Sequence, residues 1–415
     1  MALTPIATIP GPRGPALRAL LLALALSLAA AVSLGITRFA YALLLPPMRD
    51  DLGWSFALAG GMNTANAVGY LLGALAAPML LRRWPATRVL GWATVPAALC
   101  MAGSGFVADT PTLMALRLLA GVASALLFVA GGLLAARLGA QWPQRAGLLL
   151  GLYYGGTGWG IAASAVLVPW AMAQATGPHT WAPAWWALAL VCAAAALVLC
   201  WPVRALQDPA PPQAAAVAPP VATAVVPVPW RALGPALAGY TLFGVGYIGY
   251  MTFVVALLRE QGAGGTAITV FYALLGLAVV ASSRLWAGLL DRARGGQALA
   301  RLNALLGVAA VLPALTAWWP VVLASGLLFG GVFLSVVAST TALVRHHLPP
   351  AQWAAGISAF TTVFAAGQIA GPTVVGWIAD GPGGLARGLV FSAAALWLGA
   401  FSAARQRPNA PGLLP

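Results

Sequence analysis

The sequence has no lysine. All 21 of its basic residues are arginine, set against only seven aspartates and glutamates, so charge amounts to 7% of 415 residues. A soluble domain carries about a quarter charged residues, and this scarcity excludes that class. Cysteine is nearly absent as well: Cys100, Cys192 and Cys200 stand in apolar runs with no CxxC spacing, which excludes a disulfide framework and a cysteine-ligated metal. The chain has no HExxH, no GxSxG and no paired carboxylates inside an apolar run, so a membrane-embedded enzyme has no constellation to work with. Its three histidines, His179, His346 and His347, fall in predicted loops.

What is there is hydrocarbon. Hydrophobic residues make up 61% of the chain, and the mean hydropathy is +0.90. Crossing about 30 Å of lipid takes about 20 apolar residues, and runs between charged or Pro/Gly-rich breaks predict spans at 17–47, 55–81, 86–108, 111–137, 145–173, 183–203, 233–258, 266–290, 298–318, 320–344, 352–379 and 384–404. The first run, ALRALLLALALSLAAAVSLG, resembles a signal peptide, but the apolar stretch continues to Pro46. That is longer than a signal core, so an uncleaved first span is expected.

The net charge of +14 does not point to nucleic acid, because the arginines fall singly or in pairs at span ends. With the N-terminus inside, sixteen arginines lie on the inner segments and three, Arg49, Arg259 and Arg387, on the outer ones. The positive-inside rule then predicts a multi-pass membrane protein with both termini cytoplasmic. The expected organisation is an N-terminal segment 1–16, a six-helix bundle 17–203, a Pro/Ala-rich linker 204–232 containing QDPAPPQAAAVAPPVATAVVPVPW, a second bundle 233–404 and a tail 405–415.

A shift of about 210 residues lays LLLPPMRDDLG, at the end of span one, on FVVALLREQG at the end of span seven. Parallel halves of this kind are a recurrent transporter architecture. The count leaves two arginines inside spans, Arg38 in GITRFAYALLLP and Arg117. At a helix centre an arginine costs roughly 2.5–3.5 kcal/mol, and by the repeat Arg38 matches Ile248 while Arg117 matches a position near Gly326. The fold therefore does not require either charge.

Polar residues also sort by helix. Spans three, six, nine and twelve are nearly free of buried amides and charges, whereas the others carry Arg38, Asn63, Asn66, Arg117, Tyr153, Tyr154, Tyr247, Tyr250, Ser335, Ser339 and Gln368. Every third helix is expected to face lipid, and the rest to surround a polar pathway.

GITRFAYALLLPPMRDDLGWS followed by NTANAVGYLLGA resembles the YbfB/YjiJ branch of the major facilitator superfamily (MFS) of secondary transporters, and the resemblance extends over essentially the whole chain. It implies an all-α membrane protein of 12 transmembrane helices, in which two six-helix bundles rock around a central cavity. The superfamily's cytoplasmic gating motif resembles AGLLDRARGG, with Asp291, Arg292 and Arg294, and more weakly GALAAPMLLRR, with Gly73, Arg82 and Arg83 but Ala77 and Pro78 in place of its Asp-Arg pair. RLLAGVASA resembles the family pattern RxxxGxxxA through Arg117, Gly121 and Ala125. GLYYGGTGWG resembles an exchanger motif whose proline is here Gly156, and the proline of GQIAGPTVVG sits in span eleven instead.

These observations set the functional expectation. No Asp, Glu or His lies near the middle of any span, so Arg38 lacks an obvious counter-ion, and an intramembrane charge is by default a functional site. Its planar fork suits a carboxylate. Arg117 lies nearer the outer end, where it could instead snorkel to the interface. Asn63, Asn66 and Tyr70 share one helix face by their spacing, which could contact substrate or orient Arg38; the candidate substrate site is Arg38, Arg117, Asn63, Asn66, Tyr153, Tyr154, Tyr247 and Gln368, each with interhelical packing as the alternative. The expected activity is transport of a small organic anion, a monocarboxylate or an aromatic acid, with no cofactor or metal. Partners are the bilayer, the substrate and a coupled proton or exchanged anion, and the chain is expected to be a monomer. Efflux of amphipathic or hydrophobic compounds is the alternative, and a membrane sensor is the alternative from another class.

Overall fold

The computed structural model describes residues 13–206, 230–349 and 352–408; residues 207–229 of the expected linker lie outside them. Helix α1 begins as Arg13–Ala30, continues as a π-helical stretch, Ala31–Phe39, and resumes as Tyr41–Leu52. It ends at Gly53, whose φ of 65° lets the chain turn left-handed and its N–H cap Arg49 O. The others are α2 (Phe56–Arg83), α3 (Ala86–Ser104), α4 (Thr110–Gln141), α5 (Ala146–Ala173), α6 (Ala182–Ala205), α7 (Trp230–Glu260), α8 (Gly265–Leu285), α9 (Gln297–Leu315), α10 (Trp319–His347), α11 (Trp353–Ala379) and α12 (Gly384–Ala404).

Ten of these qualify as membrane spans by length and hydropathy. The other two, α3 and α5, run 19 and 28 residues. At 1.5 Å per residue they reach about 28 and 42 Å, enough for the hydrocarbon. They read as less apolar because α3 carries Arg88, Thr87 and Thr94 and α5 is rich in glycine, tyrosine and tryptophan. Predicted span eight is broken in the structure: α8 ends at Leu285 and a short helix, Ala287–Arg292, follows. His346 and His347 lie at the end of α10 rather than in a loop, with His347 buried.

The helices group as expected. Within the first half α2 packs on α4, α3 on α4 and α6, and α1 on α5; within the second, α7 packs on α11 and α12, α9 on α10 and α12, and α8 on α10. The halves meet where α2 crosses α11 and α5 crosses α8, with the end of α1 against α7. Helices α3, α6, α9 and α12 stay at the periphery and present Trp92, Leu99, Leu190, Leu197, Val308 and Leu398 outward.

Small residues set how closely the helices approach. A side chain at Gly69 or Gly73 would strike the α4 backbone at Leu118 or Val122, and one at Gly121 would strike Asn66 O, so α2 and α4 touch almost backbone to backbone. The glycine run of α5 works on two sides. Gly156 and Gly160 press on α1 at Ser27 and Ala31, and Gly158 presses on α8 at Gly276.

Candidate functional site

The π-helical stretch of α1 widens the helix over nine residues, Ala31–Phe39. Ala40 N–H donates to Gly35 O, five residues back, at 3.0 Å. Thr37 Oγ1 donates back to Ser33 O, while Ser33 Oγ donates to Ser124 O on α4 at 2.7 Å. Single-turn π features recur at functional sites because the widened turn re-aims its side chains. Here the turn carries Arg38.

Arg38 is 2% exposed, and its Nε and Nη2 are buried without a hydrogen-bond partner. These two nitrogens share one edge of the guanidinium, the edge that engages a carboxylate side-on through two parallel bonds. The cation is not bare, since its Cζ lies 5.7 Å from the Tyr70 ring centre and 6.0 Å from that of Phe39. Ring faces attract a cation but offer no acceptor lone pair.

Arg117 is equally buried, and its Nε also lacks a hydrogen-bond partner, but both of its Nη nitrogens are bonded. Its Nη1 donates to Thr37 O at 2.5 Å, its Nη2 to Asn63 Oδ1 at 2.9 Å, and its Cζ lies 4.8 Å from the Tyr41 ring centre. It does not snorkel. Two turns earlier Asp109 caps the start of α4, accepting from Thr112 N–H at 2.9 Å, and the Thr112 hydrogen bonds hold its carboxyl below the usual aspartate range.

The amides of α2 serve the protein. Asn63 Nδ2 donates to Thr252 Oγ1 of α7 at 2.8 Å, so Arg117, Asn63 and Thr252 form a chain from one half to the other. Asn66 Nδ2 donates to Arg117 O at 3.1 Å, and its Oδ1 has no partner. Tyr153 is fully buried, bonded to Phe128 O at 2.7 Å and wedged against Gly131, whereas its neighbour Tyr154 is 38% exposed. Tyr247 donates to Gln368 Oε1 at 2.7 Å, joining α7 to α11. Tyr250 is spent inside the second half, on Ser325. Of the expected residues, Arg38 lies beside Tyr70 with an unmet edge and Tyr247 and Gln368 are bonded to each other, while Arg117, Asn63, Asn66 and Tyr153 are held by other parts of the protein.

Sequence reasoning missed the closure of one face. Call the face bearing the chain ends the termini face and the other, with the α1–α2, α7–α8 and α11–α12 turns, the far face. At the far face Asp380, which ends α11, accepts from Phe56 N–H at 2.7 Å and Ala57 N–H at 2.9 Å, the first two amides of α2. Ser55 Oγ takes the third, Leu58 N–H, at 3.1 Å. Deeper, Thr64 Oγ1 donates to Ile369 O at 2.7 Å, and Tyr272 Oη of α8 to Phe39 O at 2.7 Å. A lone aspartate at a span end carries no signal of this role.

The residues of the gating motif lie at the termini face. Arg82 and Arg83 close α2, Asp291 and Arg292 close the short helix after α8, and these with Arg294 are exposed. Gly73 lies deeper, in the α2–α4 contact.

Comparisons with known proteins follow this geometry. Residues 30–404 match the family described as "Uncharacterised MFS-type transporter YbfB". A chloramphenicol resistance protein of Streptomyces lividans is 29% identical over 351 residues, covering 83% of this chain and 86% of that protein. Among solved structures, a bacterial homolog of the human lysosomal transporter Spinster, inward-facing and occupied, aligns with TM-score 0.72 and 14% identity over 96% of this chain and 99% of that one. A mutant of the nucleoside transporter NupG aligns with TM-score 0.68 and 15% identity over 93% and 99%. The chain therefore belongs to the YbfB-type family of MFS transporters, and is a multi-pass membrane protein that moves small molecules rather than an enzyme.

Proposed function

We propose that this transporter carries a small organic anion of the carboxylate type by alternating access, with Arg38 as the residue that takes the carboxylate. The observation that carries the reading is the contrast between the two buried arginines. Arg117 has both Nη nitrogens met, by Thr37 O and Asn63, and leaves only its Nε unpaired, whereas the whole Nε and Nη2 edge of Arg38 has no acceptor. Leaving a buried donor unmade costs about 1–3 kcal/mol, and more when it is charged. A carboxylate in that edge removes the penalty and supplies the missing counter-charge. Alternating access then follows from the fold: separating the halves at the far face breaks the Asp380 cap and the Asn63–Thr252 bond, and the termini face closes in exchange. The charge asymmetry of the loops supports a bacterial inner membrane location with both termini cytoplasmic, and Arg82, Arg83, Asp291, Arg292 and Arg294 are candidates for the closing contacts of the termini face.

Uptake of a panel of carboxylates into proteoliposomes tests this. Arg38→Ala is expected to abolish transport of the native substrate, and Arg38→Lys, which keeps the charge but loses the planar fork, to retain a small fraction. Undiminished transport by Arg38→Ala refutes the reading. A second reading, efflux of amphipathic compounds, is supported by the relative named for chloramphenicol resistance. It predicts drug resistance on overexpression that survives Arg38→Ala.

A further inference from the structure

We infer that the anion is an aromatic carboxylate, because the half facing Arg38 presents a wall of parallel rings; the inference rests on Arg38 holding the carboxylate. Three rings come from one stripe of α7, Tyr240, Phe243 and Tyr247, spaced by three and four residues so that they share a face. Phe364 of α11 lies against all three, at 5.0, 5.4 and 5.5 Å and within 13–22° of parallel. Phe333 of α10 extends the wall, parallel to Tyr247 to within 5° at 6.0 Å.

The wall reaches the arginine. Phe333 meets Phe39, the residue after Arg38, edge to face at 5.9 Å. On the first half Tyr70 and Phe39 flank the guanidinium. A ligand whose carboxylate sits in the Nε and Nη2 edge would thus lie beside Phe39, with Phe333 of the second half next to it. The polar groups on that side are few and placed at one point: the Tyr247 hydroxyl is used by Gln368 Oε1, and Gln368 Nε2 donates no hydrogen bond among the described residues. The second half therefore contributes aromatic carbon with one spare amide donor, and no second cation among these residues to take a dicarboxylate. One cation, one donor and a stack of rings match a planar ring bearing a single carboxylate.

Aromatic pairs add affinity beyond the area they bury, so engaging two rings gives roughly a tenfold preference over a carboxylate without a ring. Calorimetry on the full chain in nanodiscs, with benzoate, acetate and benzamide as probes, separates the two claims. The expected result is benzoate binding at least tenfold tighter than both others, lost in Arg38→Gln. Phe364→Leu and, independently, Phe333→Leu are expected to shrink the benzoate-to-acetate ratio severalfold. Equal, Arg38-dependent binding of benzoate and acetate overturns the aromatic inference and leaves the anion site standing. Benzamide binding as tightly as benzoate and surviving Arg38→Gln overturns both, as does the absence of saturable benzoate binding at millimolar concentration.

Discussion

Asp380→Asn probes how the far face is held shut. The carboxylate of α11 accepts from Phe56 N–H and Ala57 N–H at 2.7 and 2.9 Å, so two of the four free amides that open α2 are satisfied by the opposite half. Losing a helix cap costs about 0.5–2 kcal/mol, and a hydrogen bond to a charged group is worth about 1.5–3 kcal/mol. Water can replace the cap once the halves part, and asparagine keeps one acceptor oxygen, so the lower end of these ranges applies. Removal of the charge should therefore favour separation of the far face by about 1–2 kcal/mol. That corresponds to roughly a 5–30-fold shift in the ratio of open to closed molecules. Spin labels at Gly177→Cys and Gly264→Cys report on it, because both sites are in open space on the far-face turns of opposite halves. Cys100, Cys192 and Cys200 are first replaced. Electron–electron distance measurements in nanodiscs should show the longer distance gaining population in Asp380→Asn and more so in Asp380→Ala. Identical distance distributions in all three proteins would refute the assignment of Asp380 as the latch.

Other perturbations separate packing from binding. Arg117→Ala leaves Thr37 O and Asn63 Oδ1 without a donor, and unsatisfied buried acceptors cost about 1–3 kcal/mol each; the expected loss is about 2–4 kcal/mol of stability in a denaturant titration, with Arg117→Lys intermediate. Gly158→Ala places a methyl against the Gly276 carbonyl across the α5–α8 contact, so transport should fall at least tenfold while membrane insertion, followed by expression level, is retained. The pH dependence of substrate binding should follow the ligand. A guanidinium keeps its charge throughout the accessible range, so affinity is flat from pH 8 to pH 6 and falls only as the substrate's carboxylate protonates near a pKa of about 4. A further step near neutral pH in calorimetry would place a titrating protein group at the site and contradict this.

Hydropathy and charge fixed the spans because the bilayer imposes the same length on every crossing helix and leaves arginine at the ends. The weak repeat predicted two halves, and the polar sorting predicted which helices lie outermost, since an amide facing lipid is too costly to keep. The YbfB-like N-terminal pattern pointed to the family. Arg38 was legible as a misplaced charge, yet its difference from Arg117 was not. Both are single arginines in apolar helices, and only the tertiary structure shows that Thr37 O and Asn63 meet one fork while no acceptor meets the other. The same limit hid Asp380 and the ring wall. A cap across 323 residues, or four stacked rings from two helices, depends on which helix ends and faces adjoin. The chain's own composition determined that it would live in lipid and fold as two bundles. Proximity between helices, which no local pattern encodes, decided which buried guanidinium edge is left without an acceptor.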